Sequence, residues 1–449
     1  MFRFTDLIIF ELTRDCNLDC KYCYVRDKHL YRGEVMDFDL YKKVIDTIVK
    51  QRLIEHVKDR RLCLNFHGGE FTLVGKDRFR SYAEYAIKTF CENGIRFELG
   101  CQTNGINLDD EWIAMLRHYG INVGLSFDSF YEEPPLRFTH EQRERVINNL
   151  RKLVKANLTN GVLSVISKNN IDLTDEDSSF EVEDSRGEKV SIHRKTNFVE
   201  DTINPFHSKY ELTGKEIFEK LFKKYIDRFL ETGELIEEHT KDIISSTIID
   251  IVTEHNPPYS GGCNGKFCGA GLTMIATRPD GTAMYCDRYK KDYPEAFIMN
   301  LLDYDFLGIH QLKKAFEFTL QRDNSVRKVG CDRCKAESVC EYGCSAMYYS
   351  KFGEYGVQEN LVCDQFKMSY DYVEANIEKL LKKFIECDKI RVKAHVDKTI
   401  EARFLACNEL SSRLYIRNIS ERGRQLEEKL GLRFQYSGSS LKIFEKDQN

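Results

Sequence analysis

The chain has 449 residues, 42% of them apolar and 31% charged, with a formal net charge of −5. That length exceeds one ordinary domain and supports a sizeable core, so a large domain with at least one appended unit is expected. The small negative charge excludes a general attraction for nucleic acid. The opening MFRFTDLIIFELTRDC lacks the pattern of a secretion signal, and no apolar run reaches the roughly 18 residues of a membrane span, so a cytoplasmic protein with no membrane partner is expected.

Up to about residue 200, short β-rich runs alternate with helical patterns, the signature of βα units around a parallel sheet. Strands are predicted at LIIFEL (7–12), LCLNF (62–66), RFELG (96–100), NVGLSF (122–127), VLSVIS (162–167) and TNFV (196–199). Apolar residues at three- and four-residue spacing predict helices near 38–56, 77–93, 109–119 and 140–157. Six strands suit a partial (βα)6 barrel of the TIM type better than a closed barrel of eight. The acidic stretch 172–195 breaks the rhythm and predicts a loop and hairpin where a helix was due, inserted over the barrel mouth.

Helices are expected at 213–232 and 240–254, and NPPYSGG (256–262) marks a boundary into a cysteine-rich stretch. A helix should run from Cys363 to about 386, followed by further helices and a hairpin around SGSS (437–440). The α/β chain thus divides into a barrel at 1–255, a cysteine-rich domain at 256–370 and a helical C-terminal segment at 371–449.

Sixteen cysteines in a reducing compartment are hard to read as disulfides, and clustered ones point to metal. CNLDCKYCY sets Cys16, Cys20 and Cys23 three and then two residues apart, just after the first strand, on the loop at the barrel mouth where βα enzymes assemble their sites. Three thiolates suit a 4Fe–4S cluster with one iron left open for substrate chemistry. A zinc site or three reduced cysteines is the competing reading.

CxxxCxxC with an aromatic residue before the last cysteine resembles the radical S-adenosylmethionine (SAM) superfamily. There the open iron is chelated by SAM, and one electron cleaves the sulfonium to a 5′-deoxyadenosyl radical. The resemblance extends to FHGGE, where Gly68, Gly69 and Glu70 match the element that holds the SAM amino group. Glycines permit close backbone approach, and a carboxylate pairs with an ammonium. It also places Tyr22 near the adenine, and Gln102, Asn104, Ser126 and Asp128, in CQTNG and LSFDS, around the ribose and carboxylate. Turn-forming or capping roles compete for these last four.

Further on, CDRCKAESVCEYGC and a cysteine in LVCDQF leave gaps of two, five, three and 18 residues. With CNGKFCGAG upstream and Gly281 five positions before Cys286, this resembles the SPASM extension, which carries two auxiliary 4Fe–4S clusters. The resemblance assigns Cys263, Cys268, Cys286 and Cys344 to the nearer cluster, and Cys331, Cys334, Cys340 and Cys363 to the outer one. If Cys263 is not a ligand, the nearer cluster has an open iron. Cys63, Cys91, Cys101, Cys387 and Cys407 remain and are expected to be small buried apolar residues. Paired cysteines also make zinc sites, the competing reading for this group.

SPASM-bearing enzymes mostly modify peptides or proteins, including the anaerobic sulfatase-maturating enzymes, whose aspartate base matches Asp287 beside Cys286 in CDRYKKD. The resemblance therefore implies three 4Fe–4S clusters, SAM, a peptide or protein substrate and an external reductant such as flavodoxin or ferredoxin. Two departures, Phe71 after Gly-Gly-Glu where proline is usual and SFDS in place of SLDG, tie the resemblance to the subgroup rather than to a sulfatase maturase. A small-molecule dehydrogenase or ring-forming enzyme, and a non-catalytic iron–sulfur electron-transfer protein, are the alternatives.

Overall fold

The computed structural model describes residues 5–23, 33–198, 209–253, 269–288, 297–300, 324–340, 363–387, 391–393 and 418–445, apart from isolated positions within these ranges, and a few single residues between them. The chain forms two compact units, one of Met1–Glu211 with Gly269–Phe318 and one of Leu212–Cys268 with Thr319–Asn449.

The first unit is a βα assembly. Its strands are β1 (Leu7–Thr13), β2 (Leu62–Gly68), β3 (Phe97–Thr103), β4 (Asn122–Ser126) and β5 (Gly161–Ile166), with α1 (Phe38–Ile54), α2 (Lys76–Glu92), α3 (Asp110–His118) and α4 (His140–Lys155) between them. The stretch expected to be an acidic insertion folds as a short helix, α5 (Thr174–Ser178), and the hairpin of β6 (Glu181–Glu183) and β7 (Lys189–Ser191). Then comes β8 (His193–Phe198). All six predicted strands are present and run parallel in the order β1-β2-β3-β4-β5-β8.

The sheet is wider than the sequence foretold. Strand β9 (Met274–Thr277) lies parallel to β1 on its far side, and β10 (Thr282–Met284) and β11 (Phe297–Asn300) extend that edge antiparallel.

Strand alternation creates the working surface. On β2, Leu62, Leu64 and Phe66 are fully buried on one face, while Cys63, Asn65 and His67 on the other are only half-buried. Helix α2 covers the apolar side, and Phe66, Phe71, Phe79 and Trp112 pack edge-on or tilted with ring centroids 5.0–5.6 Å apart. Each such burial contributes roughly 2–3 kcal/mol, so the outer layer supplies the stability and leaves the inner face free for polar groups. Loop and helix meet cleanly at α4, where Thr139 and Gln142 form a reciprocal capping box.

The second unit is largely helical. One helix runs through Gly214–Ile217, a π-helical turn at Phe218–Phe222 and Lys223–Thr232, and others span Glu238–Val252, Cys363–Ala375, Ile377–Glu386 and Glu421–Leu430. The hairpin expected around SGSS is formed by Leu432–Ser437 and Ser440–Glu445, joined by Arg391–Lys393 in a three-stranded sheet. No helix among the described residues is long and apolar enough to cross a membrane.

Candidate active site

The cysteine loop leaves the end of β1 through an irregularity between Glu11 and Thr13, where the pairing register with β2 shifts. An irregularity of this kind re-aims a strand end next to a site. Asp15 holds the turn, its carboxylate accepting from the Cys16 N–H (2.8 Å) and the Gly33 N–H (3.0 Å). The Cys16 thiol is approached by the Leu18 N–H at 3.4 Å and by Asn104 Nδ2 at 4.0 Å. Cys20 is pushed up to about 12 by burial, with the charges of Cys23, Asp128 and Cys16 adding to the rise and Arg137 opposing it. The three thiols therefore sit within electrostatic reach of one another. Among the described residues no three His, Cys, Asp or Glu side chains converge as single-ion ligands do. Thiolates at the corners of an iron–sulfur cube are held apart by the cube itself, and an all-sulfur donor set on one short loop fits that group.

Gly68 and Gly69 lie directly against the cysteine loop. A β-carbon on Gly68, whose φ is +123°, would stand 2.0 Å from the Thr13 carbonyl oxygen, and one on Gly69 would stand 2.1 Å from that of Asp15. The missing side chains let the β2 turn lie directly on the cysteine loop. There the Gly69 N–H donates to Thr13 O (3.0 Å) and the Glu70 N–H to Asp15 O (2.8 Å).

Glu70 is buried, and its carboxylate accepts from the Thr72 hydroxyl, the Thr103 hydroxyl and the Asn104 N–H, each at 2.8 Å. Burial pushes its carboxyl up, and those donors pull it back down. It thus ties the β2 loop to the β3 loop and caps the short 3-10 turn Phe71–Val74. Asn104 carries the brace onward, donating to Asn17 Oδ1 at 2.8 Å, and Asn17 reaches Asn107 at 3.3 Å.

Tyr22, between two of the cysteines, gives its hydroxyl hydrogen bond to Asp128. Arg137 grips the same carboxylate with two bonds of 3.2 and 3.1 Å and lies 5.4 Å from the Tyr22 ring centroid. Asp128 also accepts from the Val165 N–H (3.0 Å). Gln102 donates to the Ser126 hydroxyl at 2.7 Å, stretching along the inner face into space left by Gly124.

Asp287 follows β10 in the first unit, and its Oδ2 lies 3.7 Å from Nδ1 of His67 on β2. Beside them, buried Glu11 is shared by the buried guanidiniums of Arg14 (3.0 Å) and Arg278.

Of the auxiliary cysteines, Cys263 and Cys268 lie outside the described residues, as does Cys407. Cys286 is buried in the first unit and Cys344 in the second. Cys331, Cys334 and Cys363 come close enough in the second unit for Cys363 and Cys334 to raise Cys331, which burial already pushes up to about 11. Cys340 ends the short helix Glu337–Cys340, which packs against the helix beginning at Cys363. The expectation that the leftover cysteines are buried holds for Cys101 but not for Cys91, which is exposed near the end of α2, where the helix turns that position to solvent; Cys63 and Cys387 are half-buried.

Sequence reading missed Arg137, Asn17, Arg278 and the pairing of His67 with Asp287. Arg137 and Asn17 sit in loops without periodicity, and the other contacts join segments far apart in the chain.

Residues 10–178 match the radical SAM superfamily. A cysteine-type anaerobic sulfatase-maturating enzyme of Clostridium novyi (strain NT) is 26% identical over 387 residues, 83% of this chain and 96% of that one. A serine-type anaerobic sulfatase-maturating enzyme of Bacteroides thetaiotaomicron is 33% identical over 133 residues, 29% of each chain. The fold is similar to that of native anSMEcpe with bound AdoMet and Cp18Cys peptide (TM-score 0.61, 19% identity, 85% of this chain and 98% of that one). It is also similar to Streptococcus suis SuiB bound to precursor peptide SuiA (TM-score 0.53, 14% identity, 79% and 75%).

Proposed function

We propose, from the premise that residues 10–178 form a radical SAM domain, that the protein is an enzyme that cleaves SAM reductively and oxidatively modifies a side chain of a peptide or protein. The relatives named as sulfatase-maturating enzymes, and the neighbours solved with peptides bound, support that substrate class. The observation that carries the reading is one arrangement: a three-cysteine loop braced by Gly68, Gly69 and Asn104, with His67 and Asp287 paired on the inner face of the same unit.

Bound at Cys16, Cys20 and Cys23 and at the eight auxiliary cysteines, 4Fe–4S clusters would supply the electron that cleaves SAM and an acceptor for the electron released as product forms. The chain's own residues do the rest. Backbone at Gly68 and Gly69 lines the SAM amino end, Tyr22 flanks the adenine, and Gln102, Asn104, Ser126 and Asp128 surround the ribose and carboxylate. Asp287 takes the substrate proton once a hydrogen atom has been removed, a general-base step that typically contributes 10²–10⁴-fold. An external reductant, flavodoxin or ferredoxin, and a cytoplasmic setting complete the reading.

The test is anaerobic reconstitution with iron, sulfide and zinc counted per chain, then dithionite, SAM and candidate peptides, with 5′-deoxyadenosine and peptide mass followed together. About 12 irons, 5′-deoxyadenosine that rises with a cognate peptide, and loss of both in the Cys16→Ala, Cys20→Ala, Cys23→Ala triple variant are expected. Full iron loading without SAM cleavage would refute the proposal.

A further inference from the structure

Arg137 lies in the loop between β4 and α4, and besides facing the Phe138 ring its side chain reaches the cysteine loop. Its two bonds to Asp128 fix that carboxylate, which in turn holds the Tyr22 hydroxyl. The guanidinium also faces the Tyr22 ring at 5.4 Å, and the adjoining Leu136 carbonyl accepts from the Lys21 N–H at 3.1 Å. Residues 136–137 thus clamp the segment between Cys20 and Cys23 by a backbone bond, a ring contact and a bridging carboxylate.

The pair is also asymmetric in position: the Arg137 guanidinium faces the Tyr22 ring itself, whereas Asp128 meets the segment only at the Tyr22 hydroxyl. Arg137 is 12% exposed and Asp128 3%, so salt screens their fields little. An arginine supplies this combination where lysine would not: a planar fork for the carboxylate, a flat face for the ring and a permanent charge.

We propose that Arg137 is a positioning residue for the first cluster, holding Tyr22 against the ligand loop and making the cluster easier to reduce by placing a poorly screened cation against the segment between Cys20 and Cys23. The inference rests on the reading of Cys16, Cys20 and Cys23 as cluster ligands. Reduction adds negative charge to the cluster, and a cation in a poorly screened setting favours it. Arg137 acts through Tyr22 and that segment and is not itself a catalytic residue.

The experiment is a redox titration of the reconstituted full chain followed by electron paramagnetic resonance, using the part of the signal that SAM perturbs to single out the first cluster. In Arg137→Gln, with iron content unchanged, the reduced-to-oxidised ratio at the wild-type midpoint falls about tenfold, equivalent to about 59 mV for a one-electron couple. Arg137→Lys, which keeps the charge but not the fork, stays within about twofold of wild type on the same constant, while the SAM-induced change in line shape is weakened because Tyr22 is less firmly held. Asp128→Asn moves the ratio the other way, and it serves as the test if Arg137→Gln does not fold.

An unchanged ratio in Arg137→Gln at full iron loading, or an equal fall in Arg137→Lys, overturns the proposal while leaving the cluster reading intact. Persistence of the SAM-perturbed signal in the triple cysteine variant overturns the cluster reading and this inference with it.

Discussion

Nδ1 of His67 stands 3.7 Å from Oδ2 of Asp287, joining the end of the second barrel strand to the turn after β10. His67 is 22% exposed and Asp287 14%, so the pair is neither sealed in the core nor lost to solvent. A carboxylate facing an imidazole on a polar inner wall has a place to pass a proton, which an isolated carboxylate lacks.

Asp287→Asn should therefore uncouple the reaction. Modified peptide is expected to fall by about 10²-fold or more, while 5′-deoxyadenosine still accumulates from SAM. His67→Leu should lower the modified peptide less steeply, with 5′-deoxyadenosine again retained. The ratio of the two products by mass spectrometry is the measurement, and a parallel loss of both in Asp287→Asn would assign Asp287 to SAM or cluster binding instead.

Gly68→Ala and Gly69→Ala should each displace the cysteine loop, because a β-carbon at either position falls about 2 Å from backbone oxygen. Each is expected to cost at least about 2 kcal/mol and to lower iron bound at the first cluster selectively. Iron counts in a chain whose eight proposed auxiliary cysteines are also replaced would show it, since on the proposed reading only the first cluster would remain there.

Glu132 is buried beside Asp128, and its Oε1 has no hydrogen-bond partner. Burial first, and the charge of Asp128 second, push its carboxyl up to about 8. Because the folded protein holds this proton more tightly than the unfolded chain, Glu132 costs stability as pH rises from the ordinary carboxylate range near 4.5 to about 8. Glu132→Gln should flatten that part of the Tm-versus-pH curve and raise Tm at pH 8. An identical slope in the variant would remove Glu132 from the account.

Glu11 serves two buried arginines at once. Glu11→Ala leaves both guanidiniums without their shared carboxylate and should cost about 3–5 kcal/mol, the range for breaking a buried ion pair from one side. Urea unfolding would measure it. A loss under about 1 kcal/mol would mean that other partners of Arg14 and Arg278 carry the charge, as at a surface pair.

The barrel itself was readable because its signals are local. LIIFEL, LCLNF and the four later runs carry a strand-length apolar pattern, and the helices between them have apolar residues at three- and four-residue spacing, so six strands and four helices are legible in the sequence alone. MIAT was not readable: four residues carry too little periodicity, and its place beside β1 is a pairing across most of the chain. The acidic stretch after residue 171 was legible as a hairpin, since Asp184 and Gly187 are turn residues, but the short helix Thr174–Ser178 before it gave no amphipathic pattern to read.

The sequence by itself supplied the candidate donor set: thiols spaced three and two apart can lie on one loop. What those thiols lean on was decided by tertiary structure. Gly68 and Gly69 turned out to make room for backbone of the cysteine loop, Glu70 to bind two loops together, and Arg137 to hold Tyr22 through Asp128. Spacing along the chain records which residues can share a loop, whereas a hydrogen bond between loops depends on how residues 34 or 106 positions apart come to lie side by side, and that follows from the packing of the whole sheet.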